Sequence, residues 1–164
     1  MQEERREEPM EETVVRLLQE HKLTVTTVES CTGGLIAGTL VNVAGASDVL
    51  GEAYVTYSNE AKQRLAGVRA ETLEQFGAVS EQTAGEMAAG AAKAAGADVA
   101  VSSTGIAGPG GGTKEKPVGL VYIGCYVRGK VQVRELRFHG TRMENRLHTV
   151  EEALYLAAEM LKSL

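Results

Sequence analysis

Three stretches and one pair of arginines in this chain combine residue types that can do chemistry. The first is Glu29-Ser30-Cys31-Thr32-Gly33-Gly34, which joins a β-branched run to a run of small residues, as where a strand turns into a helix. A hydroxyl at such a turn can act as a nucleophile. The amides of Thr32, Gly33 and Gly34, expected to open the helix, would lack intrahelical partners and can stabilise an anion. That anion can be a phosphate, a carboxylate or the oxyanion of acyl transfer. Ser, Thr and Gly also make ordinary capped turns, so the hexapeptide alone does not decide between these readings. Cys31 is a second candidate nucleophile, because a helix N-terminus lowers a thiol pKa. Neighbours on an extended chain point to opposite faces, so only one of Ser30 and Cys31 is expected to face a ligand.

The second stretch is Tyr57-Ser58-Asn59-Glu60-Ala61-Lys62. A hydroxyl nucleophile needs a base, and a desolvated lysine supplies one. Tyr57 can relay a proton or orient that amine. The alternative is a surface lysine with a solvated head. The third is the loop Thr104-Gly105-Ile106-Ala107-Gly108-Pro109-Gly110-Gly111-Gly112-Thr113. Ordering so many glycines costs entropy, and a loop of this length in a compact domain is usually functional or mobile. It lacks the Gly-Lys-Ser/Thr of a P-loop, which argues against nucleoside-triphosphate hydrolysis. Finally, Arg142 and Arg146 lie one helical turn apart and can share a face toward one phosphate, or pair with Glu144 and Glu151 at the surface.

The elements that must position these residues follow from periodicity. Apolar residues at helical spacing predict a helix from Met10 to about Lys22, after a charged tail over residues 1–9. Leu23–Glu29 reads as a strand, Gly33–Val43 as a small-residue helix and Val49–Tyr57 as a second strand. Ser58 caps a helix ending at Gly67, and a short helix covers Glu71–Phe76. Ser80 caps an Ala-rich helix to about Ala95, whose face can pack on its own sheet or on a partner. Thr83 stands where a capping box wants Glu or Gln, so only the cap is satisfied there. Asp98–Ser103 is a buried strand. Val118–Val127 and Lys130–Phe138 form a hairpin turning at Arg128-Gly129, and Arg142 to about Leu161 is an amphipathic helix. The expected fold is a single α/β domain over residues 10–164, a three-layer α/β/α sandwich around a mixed sheet. The marked segments then fall at carboxyl ends of strands, where open α/β sheets bind ligands.

Composition narrows the function classes. With 43% hydrophobic and 24% charged residues in 164, the chain is of ordinary globular type. A net charge of −5 argues against nucleic acid as a partner, since phosphate-backbone affinity rests on Lys and Arg. Two cysteines far apart and three scattered histidines have no metal-ligand spacing, so neither a metal nor another cofactor is expected. No apolar run suits a signal peptide or a membrane span, which makes a cytoplasmic setting with reduced thiols the expectation.

Taken together and in order, these segments resemble the CinA C-terminal domain family, whose characterised members are nicotinamide-mononucleotide amidohydrolases. The resemblance covers roughly Glu11 to Lys162. It rests on Thr27–Gly34, Tyr57–Lys62, Gly77-Ala78-Val79-Ser80, Ser103–Pro109 with Lys116-Pro117-Val118-Gly119, and Gly140 with Arg142 and Arg146. It implies deamidation of nicotinamide mononucleotide, with Ser30 as nucleophile, Lys62 as base, Tyr57 nearby and Cys31 in the core. Oxyanion and substrate contacts would come from Thr32, Gly33, Gly34, Thr104, Gly105, Ala107, Gly108, Arg142 and Arg146. A small-molecule nucleotide is the implied partner and a homodimer the implied assembly. The competing expectation is a catalytically silent nucleotide-binding or regulatory domain.

Overall fold

The computed structural model describes residues 7–164. Of the charged tail expected over residues 1–9, residues 1–6 lie outside the described residues. Glu8 is tied to the first helix, its carboxylate accepting hydrogen bonds from Thr13 and Arg16.

The elements occur in the expected order: α1 (Met10–His21), β1 (Val25–Glu29), α2 (Leu35–Leu40), β2 (Tyr54–Val55), α3 (Asn59–Ala66), α4 (Ala70–Phe76), α5 (Glu81–Ala95), β3 (Val99–Gly105), β4 (Leu120–Val127), β5 (Lys130–Arg137) and α6 (Arg142–Lys162). The five strands form one sheet in the order β2-β1-β3-β4-β5. β1 pairs in parallel with β2 and β3, and β3, β4 and β5 pair antiparallel, so the sheet is mixed.

Alternation along the strands feeds two cores. Val25, Val99, Val101, Ile123 and Cys125 face α1, α2 and α6, in one cluster with Leu18, Ile36, Leu154 and Leu156. Val28 and Ala100 face the other way, onto Ala66, Leu73, Met87 and Ala91 of α3, α4 and α5. The Ala-rich face of α5 therefore covers its own sheet rather than waiting for a partner. Ser80 caps α5 by accepting from the Thr83 amide, as expected. α6 opens with a full capping box between Thr141 and Glu144.

Several boundaries differ from those expected. β1 starts at Val25 because Lys22 takes a left-handed φ of 56° and the Leu23 amide closes α1 on Leu18. α2 is cut to six residues because Gly33 and Gly34 adopt φ of 58° and 101°. The expected Val49–Tyr57 strand shrinks to Tyr54–Val55 plus an isolated bridge at Leu50. It follows a 3-10 turn over Ala46–Asp48 at the sheet margin, where no further strand holds it flat. β4 begins at Leu120 rather than Val118, since Gly119 has φ 90° and any side chain there would overlap the Phe138 carbonyl. No helix among the described residues is long and apolar enough to cross a membrane.

Candidate active site

Ser30 stands at the carboxyl end of β1, where its amide donates to the Ser103 carbonyl at the end of neighbouring β3. Successive strand residues face opposite sides of the sheet. Glu29 accordingly turns toward α2, while Ser30 meets the α3 side. The Ser58 hydroxyl caps α3 by accepting from the Ala61 amide, which places Lys62 one turn in, 1% exposed. Lys62 Nζ lies 3.1 Å from Ser30 Oγ and 2.8 Å from the Thr56 carbonyl. The carbonyl accepts one amine proton and so fixes the nitrogen against the serine.

Burial lowers the Lys62 pKa, because desolvation penalises the ammonium; the neighbouring Cys31 opposes this weakly. The amine is thereby shifted toward the neutral form, which can accept a proton from Ser30. Cys31 goes the other way. Its burial pushes the thiol up to about 11, against a smaller opposing hydrogen bond from Ser103. The nucleophilic thiolate is therefore scarce near neutral pH. Contrary to the expectation that only one of the two neighbours faces a ligand, both line the cavity above them, because β1 ends at Glu29 and strand alternation stops there; only Ser30 is hydrogen-bonded to the Lys62 amine.

A cavity of about 300 Å³ opens above this pair. Its walls come from Ala78 and Val79 after α4, the glycine-rich loop from Gly105 to Gly111, and Tyr57, Asn59 and Arg142 at the mouth. The Thr104 hydroxyl donates to the Ala78 carbonyl, stitching two walls together. The loop is held from α6: Asn145 Nδ2 donates to the Ala107 carbonyl and Arg142 to the Gly108 carbonyl.

Most of the expected site residues meet here: Ser30, Lys62, Tyr57, Thr104, Gly105, Ala107, Gly108 and Arg142 all line the cavity. Four do not. Thr32 is fully buried, with its hydroxyl between Glu29 and Ser103. The Gly33 amide donates back to the Ser30 carbonyl, and Gly33 and Gly34 lie outside the cavity wall. The amides that open α2, those of Ile36 and Ala37, bind the Glu29 carboxylate. The anion at that helix start is thus the chain's own, not a ligand's. Arg146 is the fourth: its guanidinium donates to the carbonyls of Cys31 and Thr32, bracing the turn from behind. Arg142 and Arg146 consequently do not grip one phosphate together. Tyr57 also departs from the relay expected of it. It is 64% exposed, and its hydroxyl accepts from Arg142 at 3.0 Å with no hydrogen bond to Lys62 or Ser30.

Two contributors escape a reading of motifs. The Thr56 carbonyl works through backbone, which leaves no trace in residue type. Asn145 had a signal: a polar residue 1% exposed on the buried stripe of α6, receiving the Gly140 amide and holding the loop.

A family model described as the CinA C-terminal domain matches residues 7–161. A CinA-like protein of Kosmotoga olearia is 60% identical over 136 residues, covering 83% of this chain and 33% of that protein. A putative competence-damage inducible protein of Clostridium novyi is 52% identical over 154 residues, 93% of this chain and 37% of the relative. The chain thus spans about a third of the length of these curated relatives, 33% and 37%. Among solved structures, the competence/damage inducible protein CihA from Agrobacterium tumefaciens superposes with a TM-score of 0.87 at 48% identity, over 95% of this chain and 97% of that one. A CinA superfamily protein from Enterobacter cloacae gives 0.90 at 32% identity, over 98% of both chains.

Proposed function

Because the chain belongs to the CinA C-terminal domain family, we propose that its cavity is an amidohydrolase site that deamidates nicotinamide mononucleotide. The observation that carries this reading is the 3.1 Å contact between Ser30 Oγ and a buried amine, Lys62 Nζ. Ser30 attacks the carboxamide carbon as its proton passes to neutral Lys62. The C–N bond of the tetrahedral intermediate then breaks, and Lys62 returns the proton to the departing nitrogen as ammonia. Water, deprotonated by the same amine, attacks the acyl-serine; as the acyl–oxygen bond breaks, Lys62 returns that proton to Ser30 Oγ, giving nicotinic acid mononucleotide and free Ser30. Thr56 holds Lys62 in place through both steps. Arg142, at the cavity mouth, meets the phosphate. A cytoplasmic homodimer completes the proposal.

The test is ammonia release from nicotinamide mononucleotide by the purified chain. Ser30→Ala and Lys62→Ala are each expected to lower turnover by about 10³-fold or more, the scale of losing a nucleophile or its base. Cys31→Ser should stay within about tenfold of the parent, as a thiol held protonated contributes no nucleophile. Nucleotide binding without release would favour a silent binding domain, a role compatible with relatives named for competence and damage induction rather than for an enzyme activity. Activity that survives Ser30→Ala but not Cys31→Ser would reverse the assignment of the nucleophile.

A further inference from the structure

We infer that Glu29 is the positioning residue of the site: its buried carboxylate fixes the turn that aims Ser30 at Lys62. The inference rests on the amidohydrolase reading above. Glu29 is 0% exposed and takes part in none of the ion pairs formed among the described residues. Four donors compensate it instead. Oε1 accepts from Thr32 Oγ1 at 2.6 Å and the Ile36 amide at 2.8 Å, and Oε2 from Thr27 Oγ1 and the Ala37 amide, both at 3.0 Å.

Burying a carboxylate is costly, and a simple strand-to-helix turn does not need one; a serine or aspartate cap would satisfy the first amides from the surface. The placement of these donors shows what the carboxylate does. One lies on β1 before Ser30, one within the turn after it, and two at the start of α2. Ser30 is therefore spanned on both sides by groups converging on one rigid anion with charge-assisted hydrogen bonds. Thr32 passes the constraint to Ser103 Oγ at 2.6 Å, beside the carbonyl that receives the Ser30 amide. The main chain of Glu29 extends it to the base: its carbonyl accepts from the Thr56 amide at 2.8 Å, and the Thr56 carbonyl holds Lys62. Glu29 touches neither reacting atom, since its side chain lies on the opposite face of the sheet. It acts through where it holds them. A displacement of about 1 Å at a reacting atom can cost about 10²-fold in rate.

Glu29→Gln keeps the shape but presents an NH₂ to donors already there. The expected result is a fall in kcat of roughly 30-fold or more with KM within about threefold, the signature of lost transition-state rather than ground-state contacts. Thr32→Val, which removes one donor and leaves the anion, should lose kcat by a smaller factor with KM likewise held. A second readout needs no natural substrate: the rate at which a small sulfonyl fluoride modifies Ser30, followed by intact mass. Oγ displaces fluoride and its proton goes to Lys62, so the rate reports the aim of the pair. Glu29→Gln should slow labelling at least tenfold while its far-ultraviolet circular dichroism stays that of the parent. Parent and Glu29→Gln proteins labelled at equal rates would overturn the inference, as would kcat and KM changing in equal proportion. Should Glu29→Gln not fold, Thr32→Val with unchanged kcat and labelling overturns it equally. Parent protein that is labelled at Ser30 but releases no ammonia would sink the substrate reading and leave the role of Glu29 standing.

Discussion

At the scale of single residues, the proposed function assigns chemistry to the depth of the cavity and recognition to its mouth. Ser30 and Lys62 are buried beside each other, whereas Tyr57 and Arg142 are exposed and bonded to one another. A cation that meets the phosphate at the mouth, as proposed for Arg142, would contact it equally in ground and transition states, so its removal should weaken binding rather than chemistry. Arg142→Ala is expected to raise KM by roughly 10- to 100-fold with kcat within about threefold, measured by steady-state ammonia release. A matched fall in kcat instead would place Arg142 at the reacting end. Arg146, one turn on, serves the turn's carbonyls and illustrates how equal residue types at helical spacing acquire different tasks.

At the scale of elements, the position of Lys62 depends on how closely α3 approaches α5. Gly90 of α5 makes that approach possible: a Cβ there would overlap the Ala66 carbonyl oxygen at the end of α3. Backbone cannot rotate aside as a side chain can, so a methyl group must push the helices apart. Gly90→Ala should destabilise by about 1–3 kcal/mol, the usual cost of overpacking. For a domain of this size that lowers Tm by about 2–4 °C per kcal/mol. Because α3 carries the proposed base, turnover should fall at least tenfold at temperatures where the variant is fully folded, a larger effect than stability alone produces. Unchanged turnover would mean that α3 shifts without carrying Lys62 away from Ser30.

At the scale of the whole molecule, the buried lysine links function to stability. The folded state lowers the Lys62 pKa through desolvation, while the unfolded chain keeps the ordinary lysine value. Between those two values the unfolded state binds more protons, so stability rises with pH in that window and is lowest below the folded pKa. Lys62→Met removes the titrating group and fits the same space, with the other ionisable groups common to both proteins. The melting temperature of the parent relative to Lys62→Met should therefore increase as pH is raised from neutral toward about 10, where ordinary lysines lose their proton. A difference independent of pH would show that burial does not perturb this amine.

Much of this arrangement was legible in the chain itself. Periodicity determined the element order and the mixed α/β sheet, because burying one face of each helix and strand leaves a local record. Motif position marked the Glu29–Gly34 turn, the Tyr57–Lys62 segment and the glycine-rich loop as candidates at strand ends, and the family resemblance then singled out Ser30 and Lys62. The local record did not extend to partners. That the α2 amides would be taken by Glu29, that Arg146 would brace the turn, and that Tyr57 would bond Arg142 are contacts between residues 7 to 115 positions apart. Such contacts leave no periodic trace; they are decided by which groups the packed sheet and helices bring within hydrogen-bonding distance and which they leave facing the cavity.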